Sequence, residues 1–112
     1  MIYDRPIEIA RLNNAASPLL RRLTVIGKHY CSPQDVYSKR FYEALQAGVQ
    51  IDMLAWVLGH NVAVAGDYAI YESDIYRVVQ AQRERDKTGL ACTVLSLHRE
   101  DDKYAIVRST GT

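Results

Sequence analysis

The sequence predicts a mainly β protein, a small antiparallel β-barrel or sandwich of about six strands with one short helix. Three observations predict it. Apolar and polar residues alternate in short runs such as RPIEIARL and VQIDMLAWV, and these runs are separated by residues that favour turns. A single window, SKRFYEALQAG, places apolar residues at helical spacing. Nowhere do strands take turns with long helices, so a parallel βαβ architecture is not expected.

The elements follow in order. Residues 5–12 alternate around Ile7 and Ile9, Pro6 is tolerated at a sheet edge, and Asn13-Asn14 and Ser17-Pro18 break the run. Residues 20–30, LRRLTVIGKHY, are β-branched at their centre and lack a helical period. They predict a second strand, with Gly27 as a bulge and Ser32-Pro33 as its end. Over 38–47, Phe41, Ala44 and Leu45 share one helical face, with Ser38 as N-cap and Gly48 as the stop. Lys39 and Arg40 occupy a first turn that favours acids, so this helix is expected to be short.

Val49, Ile51, Met53, Ala55 and Val57 then alternate with Gln50, Asp52, Leu54, Trp56 and Leu58. The second set turns apolar toward its end, and that face is expected to meet something, such as a neighbouring subunit. NVAVAGDYAIYES and DIYRVVQAQ predict a hairpin around Ser73-Asp74. The charged turn RERDKTG leads into a further strand, GLACTVLSLH, and KYAIVRS is a short final edge strand.

At 112 residues the chain is expected to be one domain, residues 1–112, with a usable core. Fourteen Lys and Arg against thirteen Asp and Glu leave a formal charge of +1, so no net field argues for nucleic acid or a membrane surface. Charges interrupt the first eight residues, which excludes a signal peptide there and predicts a protein made and kept in a cytoplasm. The best apolar run, MLAWVLG, ends at His60, far short of the roughly 20 residues of a membrane span. Two cysteines, Cys31 and Cys92, make no disulfide framework and are expected to be small buried residues.

His29, Cys31, Cys92 and His98 are residue types that zinc accepts. Cys92 and His98, however, lie six residues apart on one expected strand, about 20 Å, too far to share an ion; His29 and Cys31 with just one of them is the set left open, against the commoner reading as plain strand residues, and no metal or other cofactor is expected. Cys31 with His29 two residues away resembles half of a nucleophile and base pair, but no orienting third group or oxyanion hole accompanies it. Glu100-Asp101-Asp102 reads as a solvated turn, not as two carboxylates in contrasted environments. Phosphate loops, nucleophile elbows and HExxH patterns are missing, so an enzyme is not expected. Tyr68, Tyr71 and Tyr76 suit half-buried strands and interfaces alike. Arg21-Arg22, Lys39-Arg40 and Arg83 with Arg85 could touch phosphates, although such short groups commonly serve solubility.

One pattern is more specific. Ser38, Phe41, Tyr42, Ala44 and Gly48 precede an alternating strand, and Tyr76, Val78 and Val79 lie on a second arm. This order of residues resembles the head-closure family of long-tailed bacteriophages, also called head-tail connector or stopper proteins. Arg40 stands where that family usually has an acid, and Ser73-Asp74 where it has a glycine-containing turn.

The resemblance implies a structural virion protein of the phage neck. Such a protein forms a ring between the portal or adaptor protein and the tail or tail-terminator protein, closes the DNA-filled head and offers the tail its attachment surface. It implies self-association in rings of about twelve copies, packaged DNA in the channel and no membrane. Residues 31–48 are then the segment expected to reach the channel, with Lys39, Arg40 and Tyr42 as its channel-loop candidates. Leu54, Trp56 and Leu58 are the subunit-interface candidates. The alternatives are a small β-barrel that binds single-stranded nucleic acid through stacked tyrosines and arginines, or a neighbouring adaptor or tail-completion protein.

Overall fold

Alternating sequences pair edge to edge, and here the pairing returns on itself. A computed structural model describes residues 2–13, 21–34, 50–101 and 104–108. They form β1 (Arg5–Asn13), β2 (Arg21–Gln34), β3 (Met53–Leu58), β4 (Tyr68–Tyr71), β5 (Asp74–Arg85), β6 (Ala91–Arg99) and β7 (Tyr104–Val107). The strands hydrogen-bond in the order β1-β4-β5-β6-β3-β2, and β2 pairs back onto β1. Six strands thus close a ring through antiparallel pairings, and β7 adds to β2 in parallel outside it. The described residues contain no helix, and the helix expected over 38–47 lies outside them.

β2 makes the closure possible because it is 14 residues long. One edge pairs with β1 from Arg22 to Cys31, while the other serves β7 over Arg21–Thr24 and β3 over Cys31–Gln34. The strand therefore runs through Ser32-Pro33, where the sequence predicts its end. Pro33 lies opposite Ala55, and a strand admits proline where its missing N–H is not needed. The expected bulge is found one residue from Gly27: Ile9 faces Gly27 and Ala10 faces Val25, which leaves Ile26 as the extra residue. A second irregularity falls at Val79 of β5.

The alternation sorts side chains into two clusters. Ile7, Ile9, Cys31, Ala55, Val57, Ala69, Tyr71, Val78, Leu95 and Leu97 fill the interior of the ring. The 59–67 loop contributes Ala63, with Val62 packed beside it. On the opposite face of the sheet Ala10, Leu23, Tyr68 and Ile70 form a smaller cluster, against which Tyr104 and Ile106 of β7 pack. Burial of these side chains, at about 25 cal/mol per Å² of apolar surface, is the main stabilising contribution to the fold.

Two turns differ from expectation by a few residues. Tyr71 pairs with Asp74, so the β4–β5 hairpin turns at Glu72-Ser73, not at Ser73-Asp74. Both turn residues have positive φ, 49° and 70°, the geometry whose twist matches that of the flanking strands. β5 continues through Arg83, Glu84 and Arg85, so the first three residues of RERDKTG are strand, and only residues 86–90 turn.

Candidate interaction surface

Asp86 builds the β5–β6 turn. Its Oδ1 accepts from Thr88 N at 2.9 Å, Thr88 Oγ1 at 2.5 Å and Leu90 N at 3.0 Å. Gly89, at φ 86°, completes the reversal with its N–H on the Asp86 carbonyl. The second carboxylate oxygen accepts the Tyr3 hydroxyl at 2.8 Å, which ties residues 2–4 across the end of the ring. The Thr88 hydroxyl foremost, with Tyr3 and two backbone N–H groups, holds the Asp86 carboxyl down to about 2. Burial, followed by the bond to Asp86, pushes the Tyr3 phenol up.

A second carboxylate anchors the 59–67 loop. Asp67 accepts Arg11 Nε at 3.0 Å and Val64 N at 3.1 Å, and its own N–H reaches the Val64 carbonyl. Asp-x-Thr-Gly at 86–89 is a turn signature legible in sequence, whereas nothing local announces that Tyr3 or Arg11 will supply the distant partner.

β3 presents the interface candidates unevenly. Leu54 is buried, 3% exposed, and so adds nothing to the surface. Trp56 is half-buried and Leu58 is 40% exposed. Tyr30 is 60% exposed and lies just beyond the last β2–β3 pair, Cys31 with Val57, beside Leu58. Leu90, 52% exposed, precedes β6 two residues before Cys92, the partner of Leu58. Tyr30, Leu58 and Leu90 thus place an exposed apolar stripe on the outside of the ring. Lys39, Arg40 and Tyr42 lie outside the described residues.

The basic groups are placed as follows. Arg83 donates to Asn61 Oδ1 at 2.7 Å and Arg85 to the Gly89 carbonyl at 2.9 Å. Arg108 makes a two-pronged pair with Glu8, both contacts at 2.9 Å, and Arg99 reaches Asp74 at 3.2 Å. Arg21 and Arg22 are exposed.

The cysteines and histidines do not converge. Cys31 faces the ring interior, where burial pushes its thiol up to about 11. Cys92 lies on the opposite face of the sheet from Cys31, also fully buried and near Tyr3. His98 Nδ1 is 3.1 Å from Asp52 Oδ2 but makes no aligned hydrogen bond with it, and the same oxygen accepts Arg99 N at 2.7 Å. Among the described residues, His, Cys, Asp and Glu side chains form no group of three that could hold a metal ion.

No protein-family model matches the chain, and no curated protein matches it.

Proposed function

We propose that this chain is a structural subunit of a bacteriophage neck, a head-closure protein that forms a ring between the portal or adaptor and the tail. The observation that carries the reading is the residue order Ser38, Phe41, Tyr42, Ala44, Gly48 followed by Tyr76, Val78 and Val79 on β5. The closed ring of strands, read as a small β-barrel, supports it as a rigid body on which connecting segments can serve other purposes. Residues 31–34 of the expected channel segment belong to β2 and pair with β3, so in this reading the part that follows β2, up to Gly48, reaches the channel, where Lys39 and Arg40 meet packaged DNA. The stripe of Tyr30, Leu58 and Leu90, with half-buried Trp56 beside Leu58 on β3, meets the next subunit in a head-to-tail ring, in which two different faces of the same chain come together.

The test is electron microscopy of particles from the phage that carries this gene, with and without it. Tail-less or DNA-leaking heads in the knockout, with the protein at the neck of complete particles, are expected. Normal virions without the protein would overturn the proposal. Salt-sensitive binding of short oligonucleotides by the isolated protein would then favour the nucleic-acid reading.

A further inference from the structure

The closed ring leaves one edge of β2 interrupted. β7 pairs with it over Arg21–Thr24 and β3 over Cys31–Gln34, and among the described residues no strand pairs with that edge from Val25 to Tyr30. Six residues without a partner strand make an opening roughly 20 Å long in the strand direction. A cleft of about 350 Å³ lies against this stretch, between Ile26, Gly27, Lys28 and His29 on one side and Asn61 to Val64 of the 59–67 loop on the other, with Arg11 also lining it. Its lining is mixed: Ile26 and Val64, 47% and 58% exposed, stand with Arg11, Lys28, His29 and Asn61.

An unpaired strand edge binds extended backbone, because only an extended chain satisfies its row of N–H and C=O groups. The molecule also holds a candidate for the complementary half. β7 pairs only with β2 among the described residues, so its outer edge is unpaired, and Val107 at its end is 43% exposed. The far half of β5 also extends beyond β4, but it is blunted: it carries Arg83, Glu84 and Arg85, and Asn61 and His60 of the 59–67 loop contact it. At the β2 opening the 59–67 loop lies across a cleft from Ile26 to His29, and no strand among the described residues pairs there. Arg11 and Arg108 beside it are each neutralised by a carboxylate, and Lys28 is the remaining charge.

We infer that copies of this chain join head to tail by strand addition, with the outer edge of β7 in one copy entering the Val25–Tyr30 opening of β2 in the next. The inference rests on the ring-subunit reading and deepens it. Four residues of β7 fit an opening of six, and a head-to-tail contact joins two different edges, as a ring requires. A four-residue addition buries on the order of a few hundred Å², below the roughly 1,000 Å² of a stable pairwise interface. Two copies alone are therefore expected to associate weakly, and ring closure to reinforce each contact.

The test traps the contact covalently. The full chain carrying both Lys28→Cys and Val107→Cys is treated with a short bis-maleimide at high protein concentration, with each single variant as control and circular dichroism to confirm folding. Cys31 and Cys92 are fully buried and stay silent. A ladder of dimers, trimers and larger species from the double variant, at least tenfold above either single variant, is expected. If sedimentation shows oligomers but the double variant gives no ladder, the strand addition is wrong and the ring reading survives. If the protein remains monomeric at millimolar concentration and no ladder forms, both fail.

Discussion

The Tyr3 hydroxyl donates to Asp86 Oδ2 at 2.8 Å across 83 residues of chain, and joins the segment before the first strand to the turn before β6. The same carboxylate receives three bonds from its own turn, so one side chain shapes a reversal and fastens a distant segment over it. Tyr3→Phe keeps the ring and removes the donor. In a domain of this size that loss is expected to lower the thermal midpoint by roughly 5 °C, measured by circular dichroism near neutral pH.

Asp86 also sets an acid dependence. Its carboxyl is held at about 2 in the fold against an ordinary value of 3.8, so the folded state favours the ionised form. The stabilisation is fully present above pH 4 and lost as the pH falls from about 4 to about 2. Thermal midpoints of the natural protein and Asp86→Asn, compared between pH 2 and 5, should therefore lie furthest apart at pH 5 and converge toward pH 2.

Tyr68 acts in the opposite range. Its ring centroid is 5.4 Å from that of Tyr104, and burial, followed by a hydrogen bond with Tyr104, pushes its phenol up to about 12. The fold favours the neutral phenol, so the contribution is whole below pH 10 and lost as the pH rises from 10 toward 12. Tyr68→Phe should leave a shallower alkaline decline in stability over that window, read by urea denaturation at fixed pH.

Leu95 has no exposed surface and sits between Ala55 and Ala81, its cross-strand partners. Alanine neighbours cannot expand into a vacated volume. Leu95→Ala is expected to cost about 3 kcal/mol by chemical denaturation. Leu58→Ala, at a 40% exposed site on the same sheet, should cost far less.

The β4–β5 turn stores removable strain. Glu72 and Ser73 both adopt positive φ, which L-residues other than Asn and Asp resist and achiral glycine does not. Replacing them together by Asn-Gly should raise stability by about 1 kcal/mol. The Arg5 contact of Glu72, 3.7 Å and exposed at both ends, offsets little of that gain.

Much of the secondary structure was legible because a strand writes its two faces into alternate residues. Ile7 and Ile9 marked β1, and the β-branched centre of LRRLTVIGKHY marked β2. The hairpin and the final edge strand were also visible, each with a turn or boundary displaced by a few residues. The interface candidates were read less well. Alternation placed Leu54, Trp56 and Leu58 on one face but could not show that Leu54 would be covered while Leu58 stayed open.

A mainly β chain, the approximate positions of its strands and the burial of both cysteines follow from the residues alone, because periodicity and residue size are local properties. That β2 pairs with β1 to close the ring and takes β7 in parallel, and that Tyr3 finds Asp86 and Arg11 finds Asp67, emerges with the folded chain. Those pairings join residues far apart in the chain. Their free energy comes from burying surfaces and satisfying polar groups together, which no local pattern records.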